Sequence, residues 1–434
     1  MLNETASARD DRPALRPPPA RTEADSLTHT VREMVAGVLV IEDEAPGDAQ
    51  PTPQVGGVRP LARYAGRLLL DSETAYQQLD EQLAPLDLLA LFREENGRHV
   101  IVVLVGRIMP RPRAWWPNLL LFLATAVSVL LVGTSLALSE IQVTDPARAA
   151  ALAQQLPTQL WRGLPYALSI LLILGAHELG HYFAARRHNL AVTLPYFIPL
   201  PFFSPFGTLG AFIQLRQPMR NRKVLLDVGA AGPLAGLLFA VPILFLGLSM
   251  ARVGPIMPGG LFEGDSLLYA LAKIVVFGRY LPADGVDVYI TSSQLAWAGW
   301  TGLLVSALNL IPVGQLDGGH IIYSLLGERA RWLYYPLIAI MAGLVLVTNV
   351  WLLWVLLLLF FGRVYATPLD MITPLDRPRR VVAVASLAIL LLIFVPAPLS
   401  ETSASTPPVR PRATVQVVPE AAPPLALVEP APGG

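Results

Sequence analysis

His177, Glu178, Leu179, Gly180 and His181 form an H-E-x-x-H motif inside an apolar run, 165–185, that carries few other charges. On a helix, residues i and i+4 stack on one face, so two imidazoles at this spacing can hold one metal ion. Glu178, between them, can reach a water beside that ion. Ionisable side chains are costly in a membrane helix and point to function first. The plainer alternative is a pair of core histidines bonded to neighbouring helices, but it must also accommodate a glutamate in lipid. A catalytic zinc needs three protein ligands and an open position, so two histidines are not enough. Cysteine is absent, which excludes thiolate ligands and disulfides. The third ligand must then be His, Asp, Glu or Asn, and Asp317 is the leading candidate, with helix capping as its simpler role. It lies in a stretch, 309–320, where Pro312, Gly314, Gly318 and Gly319 should break a helix within the membrane and let backbone bend inward. His320 is the rival ligand, with equally suitable chemistry. Asn309, near the same break, could hold a carbonyl oxygen as charge develops on it; an interhelical hydrogen bond is its simpler role. His188 follows Arg186 and Arg187 and reads as a surface residue.

The elements that must position these residues are mostly membrane helices. The chain has 434 residues, 53% of them hydrophobic, and several apolar runs exceed the roughly 20 residues that cross a bilayer. The pattern predicts a multi-pass α-helical membrane protein, with about six to seven transmembrane helices and a small N-terminal α/β soluble domain. The formal net charge of zero argues against a nucleic-acid partner. Residues 1–26 are charged and Pro-rich, lack a signal-peptide core and read as disordered. Residues 27–110 read as the soluble α/β domain, with a regulatory role. It should hold a helix over 27–36, a short strand over 67–70 and a helix over 72–83 capped by Asp71. Two further strands, 87–93 and 99–105, should be joined by a turn at 94–98. Residues 42–58 read as a loop, and His99 as a strand-end or surface histidine rather than a functional one. Residues 111–397 read as the transmembrane domain that carries the candidate metal site, and 398–434 as a Pro-rich disordered tail.

Within the membrane region, helices are expected over 117–138, 161–187, 225–249, 292–324 (broken) and 381–396, with a polar connection at 139–160. The apolar run 333–362 suits two short helices turning near Asn349. Segment 194–215 is apolar, yet Pro195, Pro199, Pro201 and Pro205 forbid a regular helix. Such backbone survives at membrane depth only when buried or lining a cavity, so it reads as a re-entrant loop or hairpin beside the site; a loop lying on the lipid surface is the alternative. The third helix begins with Gly229, Ala230, Ala231, Gly232, Pro233, Ala235 and Gly236, small residues that let backbones approach closely. Asp227, at its start, suits a helix N-terminus. Arg111 and Arg113, Arg186 and Arg187, Arg220 and Arg222, and Arg377, Arg379 and Arg380 mark cytoplasmic ends, with the N-terminus inside. His177 lies roughly 15 Å of helix before Arg187, about half of a ~30 Å hydrocarbon core. The metal site should therefore sit within the bilayer, reached from its cytoplasmic half.

Together, His177–His181 and the stretch Asn309, Pro312, Leu316, Asp317 and Gly318 resemble the site-2 protease family of intramembrane zinc metalloproteases, over about 160–365. The resemblance implies one catalytic Zn2+ held by His177, His181 and Asp317, with Glu178 as general base and Asn309 assisting substrate or transition-state binding. It implies hydrolysis of peptide bonds within or near transmembrane segments of membrane-protein substrates, as in regulated intramembrane proteolysis at the cell membrane. The Gly207–Gln214 stretch is similar to the family's extended membrane-associated segment, which could pair with an unwound substrate strand. The chain departs from members that insert a PDZ domain between the two motifs. Residues 188–308 leave no room for one, and the chain is more similar to PDZ-free members of cyanobacteria and plastids. Two other readings use the same residues: a metal or ion transporter, and a catalytically silent membrane scaffold. The glutamate between the histidines favours a protease. Substrate identity and oligomeric state stay open.

Overall fold

The computed structural model describes residues 21–46, 59–108, 110, 114–256 and 261–401; the expected basic boundary at Arg111–Arg113 lies outside the described residues. An N-terminal unit comes first. It runs through α1 (Arg21–Ala36), β1 (Leu39–Pro46), β2 (Arg59–Leu68), α2 (Ser72–Leu83), β3 (Leu88–Glu95) and β4 (Arg98–Val105). The strands make one antiparallel sheet in the order β1-β2-β4-β3. Local chemistry explains its joints. Asp71 Oδ1 accepts from the Thr74 N–H at 3.0 Å and caps α2 as expected. Asn96 and Gly97, both at positive φ, form the two-residue turn between β3 and β4. Tyr64, Tyr76, Leu79, Phe92 and Ile101 are buried in the core that α2 shares with the sheet.

Three expectations for this unit change. The loop over 42–58 is strand as far as Pro46, because β1 pairs with β2 across a register shift between Ile41 and Asp43. That shift, in an acidic run, breaks the alternation that would have revealed a strand. The short strand at 67–70 is instead the end of β2, which starts at Arg59 and stops at Leu68. Helix α1 begins at Arg21, inside the segment expected to be disordered; Val31 and Val35 are fully buried and anchor it.

The sheet's edge is covered from far along the chain. The Phe92 N–H donates to Leu369 O at 2.9 Å and the Met371 N–H donates to Phe92 O at 3.0 Å. On its other side the same segment donates from Leu369 N–H to Met219 O and from Asp370 N–H to Arg220 O, at 2.9 and 2.7 Å. Asp370 is fully buried. Its Oδ1 accepts from the Ser72 hydroxyl at 2.9 Å and the Ile372 N–H at 2.8 Å, and its Oδ2 accepts from the Thr373 hydroxyl. Residues 369–371 thus tie the N-terminal sheet to the segment that leads into the membrane helices.

That region continues as α3 (Trp116–Thr144), α4 (Pro146–Ala153), α5 (Leu156–Gln159), α6 (Leu164–Arg187), β5 (Tyr196–Pro199), β6 (Thr208–Phe212) and α7 (Arg222–Ser249). Next come β7 (Arg252–Pro255), β8 (Leu261–Glu263), α8 (Leu267–Phe277), β9 (Val286–Tyr289), α9 (Gln294–Asn309) and α10 (Asp317–Leu326). The last elements are α11 (Tyr334–Val345), α12 (Val350–Phe361), α13 (Arg377–Ile393) and β10 (Leu399–Glu401). Among the described residues, three helical segments are long and apolar enough to cross a membrane: Trp116–Thr144, Leu156–Arg187 and Arg222–Ser249. The remaining expected crossings fall on broken or shorter helices. α11 and α12 separate at 346–349, where the turn was expected, and each covers about 18 Å, less than a ~30 Å hydrocarbon core. Helix α3 runs past residue 138, and α4 and α5 occupy the expected polar connection. Asp376 caps α13, so that helix starts at Arg377 rather than 381. The tail expected to be disordered from 398 begins instead with β10, paired to β8.

Replacing Asp370 by Ala leaves the Ser72 hydroxyl and the Ile372 N–H without their buried acceptor, a cost of roughly 3 kcal/mol. Amide hydrogen exchange at Phe92 and Met371 should accelerate in Asp370→Ala while α6 and α7 keep wild-type protection. Unchanged exchange at those two amides would mean the carboxylate does not hold this seam.

Candidate metal centre

Helix α6 divides its surface cleanly. Tyr166, Ala167, Ile170, Ile173, Leu174, His177, Glu178, His181 and Ala185 are buried and follow the three- and four-residue spacing of one face. Leu168, Leu172, Leu179 and Phe183 are exposed on the opposite side, where lipid would lie. The two histidines and the glutamate therefore point into the bundle; they are 3, 4 and 6% exposed, in the order His177, Glu178, His181.

Asp317 arrives from a break between two helices. α9 ends at Asn309 and α10 begins at Asp317. Pro312 lacks a backbone donor and Gly314 sits at φ +59°, so the chain leaves the helical path and re-enters it within eight positions. Asp317 takes the first turn of α10, where a carboxylate is favoured by the helix dipole.

The three side chains converge. His177 Nε2 lies 3.2 Å from Asp317 Oδ2, His181 Nε2 lies 3.2 Å from Asp317 Oδ1, and the two Nε2 atoms are 3.2 Å apart. His181 Nδ1–H donates to the Val228 carbonyl at 2.7 Å. A carbonyl can only accept, so the proton is on Nδ1 and the Nε2 lone pair of neutral His181 faces the other two groups. This is the outer contact that commonly orients a metal-binding imidazole. Donors about 2.0–2.1 Å from a tetrahedral zinc are separated by about 3.3 Å, so the donor set fits that ion in both chemistry and spacing. His177, His181 and Asp317 form the group of three that could hold a metal ion among the described residues.

The other expected residues are distributed as follows. Asn309 Nδ2 lies 3.4 Å from His177 Nε2. Glu178, Asn309 and His320 line the same cavity as the three donors, a space of about 1010 Å³. His320 stands outside the converging set, and its Nδ1 has no hydrogen-bond partner among the described residues. His188, expected at the surface, is half-buried and its Nε2 lies 2.9 Å from Asp227 Oδ2. Asp227 also accepts from both Arg379 Nε and Nη2, at 2.8 and 2.7 Å, and so joins α7 to α13. His99 is structural: its Nδ1 accepts from the Leu68 N–H at 3.1 Å.

The proline-rich segment forms a hairpin, β5 against β6, and residues 211–219 form a wall of the cavity. Its anchors are polar residues of α3 that sequence reasoning passed over. Asn118 donates to the carbonyls of Leu194 and Pro195, at 2.7 and 3.1 Å, and the Ser128 hydroxyl donates to Gly207 O. Both stand out as buried polar positions in an apolar helix, the signal that would have found them. Also missed was how the small residues of α7 relate to the motif. A Cβ at Gly232 would lie 2.0 Å from His181 Nε2, and one at Gly229 would lie 2.8 Å from His320 Cβ. These positions let α7 sit between α6 and α10.

Residues 165–350 match the sequence model of Peptidase family M50. The chain is 33% identical over 245 residues to "Probable zinc metalloprotease EGY2, chloroplastic" of Arabidopsis thaliana, covering 55% of this chain and 43% of that protein. The namesake in Oryza sativa subsp. japonica is 34% identical over 241 residues, covering 54 and 43%. "Probable zinc metalloprotease EGY1, chloroplastic" of the same rice is 29% identical over 367 residues, covering 77% of this chain and 62% of that protein. The chain thus spans less than half the length of the EGY2 relatives it matches. No solved structure matches. Residues 165–350 are thus similar to Peptidase family M50, and the relatives are named for zinc.

Gly232→Ala should drive its methyl group into His181 and lower bound zinc at least about tenfold, since displaced ligands forfeit metal affinity. Gly175→Ala, on α6 with open space beside it, should keep full metal content. Elemental analysis of the purified variants reads both. Equal zinc in the two would show that α7 tolerates a side chain at Gly232.

Proposed function

We propose that the chain is an intramembrane zinc metalloprotease that hydrolyses peptide bonds within or near transmembrane segments of membrane-protein substrates. The observation that carries this reading is the triangle of His177, His181 and Asp317 donors with Glu178 between the histidines, on helices facing one cavity. The three side chains would hold one zinc ion, which when bound supplies Lewis-acid activation of water and of a carbonyl. Glu178 accepts a proton from the attacking water and passes it to the amide nitrogen as the C–N bond breaks. Asn309 Nδ2, beside the ligand triangle, donates to the carbonyl oxygen as negative charge develops there. His181 keeps its tautomer through Val228, so its Nε2 stays available as a ligand.

The substrate must be unwound to present a carbonyl here, and the hairpin supports that step. Among the described residues β6 pairs only with β5, and Ala211, Phe212 and Ile213 line the cavity. An extended substrate strand can add to such an edge through main-chain hydrogen bonds. The substrate class is thus a protein crossing the membrane, and the enzyme sits in the cell membrane. The arginines at the helix ends support a cytoplasmic N-terminal unit, close enough to regulate entry.

Glu178→Gln should retain zinc and lose cleavage of a single-span reporter by at least about a hundredfold, the usual contribution of general acid–base catalysis. Wild-type cleavage by that variant would remove Glu178 as the base. Asp317→Ala should instead lose the metal; unchanged zinc stoichiometry would move the third ligand to His320.

A further inference from the structure

A second cavity, of about 530 Å³, lies where the N-terminal unit meets the cytoplasmic ends of α6 and α7. Its volume falls in the range of small-molecule sites. Five cationic side chains line it, Arg107, Arg187, Arg220, Lys223 and Arg379, against two carboxylates, Glu73 and Asp80. Three of the cations are already matched. Arg107 pairs with Asp80, Lys223 pairs with Glu73 at 2.6 Å, and Arg379 pairs with Asp227 and Asp376. The side chains of Arg187, at the end of α6, and Arg220, just before α7, make no hydrogen bond or ion pair among the described residues. Arginines near a surface are usually just solvated. Here two exposed arginines from separate elements line one concavity whose own carboxylates are already paired.

The remaining lining favours a bound anion as well. α7, 28 residues long, starts at Arg222, and Asn221, Lys223 and Val224 at its positive dipole end line the space. Asn221 satisfies the Val224 N–H, so this terminus is formed and rigid. Tyr76, Leu89, Leu190 and Val224 supply an apolar side. Two arginines that line a cavity beside a helix N-terminus suit the oxygens of a phosphate group, which Arg binds in pairs of parallel hydrogen bonds.

The geometry points to this seam as a binding site for a phosphate-bearing ligand held chiefly by Arg187 and Arg220. Bound there, the ligand bridges the N-terminal unit and the membrane helices. Ile108, Gln217 and Pro218 line both this cavity and the metal cavity, so occupancy bears directly on the wall beside the metal centre. The phosphate could belong to a lipid headgroup at the cytoplasmic surface or to a soluble molecule; the chemistry that holds it is the same.

The test needs no catalytic readout and so stands apart from the protease reading. The full chain is placed in phosphatidylcholine nanodiscs, and amide exchange over 187–190 and 217–224 is followed while inorganic phosphate or ATP is added. A parallel sample uses nanodiscs containing phosphatidylglycerol. Protection of these segments is expected in at least one arm; the arm that protects identifies the source. The double variant Arg187→Ala, Arg220→Ala should need about tenfold more ligand, or anionic lipid, for the same protection. Arg186→Ala, a neighbouring arginine outside the cavity, should titrate as wild type. No protection in any arm, an unshifted double variant, or an equal loss in Arg186→Ala would overturn the assignment.

Discussion

The metal centre depends on helices α6, α7 and α10 coming closer than side chains normally allow. In lipid, helices gain nothing by hiding apolar surface from water, so their association rests on tight packing and on polar contacts. α7 supplies both. At Gly232 it offers His181 a space that no other residue type would leave, and at Val228 it offers a carbonyl to the same ring. One helix thus admits the imidazole and fixes which nitrogen faces Asp317 and His177. At Gly229 it admits α10, whose first residue is Asp317. The spacing of the donors is set by backbone proximity rather than by long, adjustable side chains. That makes the site rigid, and it makes α7 as necessary as the helices that carry the ligands.

Rigidity of this kind has to coexist with a broken helix. Between Asn309 and Asp317 the regular ladder is lost, and unsatisfied backbone in a membrane is costly. Short local bonds replace it: Leu310 N–H donates to Ser306 O, Val313 N–H to Ile311 O, Leu316 N–H to Val313 O and His320 N–H to Leu316 O. Pro312 removes one donor outright. Most of the break is buried in protein, with Leu310, Ile311 and Val313 almost inaccessible, while the exposed Gln315 lines the metal cavity. A carboxylate carried on an uninterrupted helix would have pointed along a fixed direction; the break lets Asp317 reach into the space between the histidines.

Most of this could be read before any coordinates because the motif residues combine chemistry with periodicity. Histidines four apart on an apolar helix leave few uses, and Pro312 with Gly314 and Gly318 announces a bend. The short turn at 346–349 and the hairpin over 194–215 were legible for the same reason: prolines and polar residues interrupt apolar runs only where the structure needs them. What stayed hidden depends on contacts distant in sequence. Strand β1 is acidic and irregular, and only its partner β2 makes it a strand. Asn118 and Ser128 are ordinary residues until the hairpin is placed against α3. Gly232 belongs to a run of small residues whose purpose is visible only once His181 is seen opposite. Capping, as at Asp376, moved a helix start by four positions because it is a matter of one side-chain hydrogen bond.

The same dependence on distant contacts decides how the N-terminal unit relates to the membrane region. β3 is an edge strand, and an open edge is a liability because its unpaired N–H and C=O groups invite pairing with other chains. Here the edge is closed by residues 369–371, which hand the hydrogen-bonding pattern on to Met219 and Arg220. Those residues continue directly from the wall of the metal cavity formed by 211–219. A displacement of the sheet relative to the bundle therefore cannot stop at the seam: it must either break the pairing at Phe92 or carry Met219 with it. Asp370 holds that pairing with buried hydrogen bonds from Ser72 and Thr373. The N-terminal unit is consequently joined to the wall of the metal cavity both by backbone pairing at Phe92 and by the side chains of Ser72, Glu73 and Arg93.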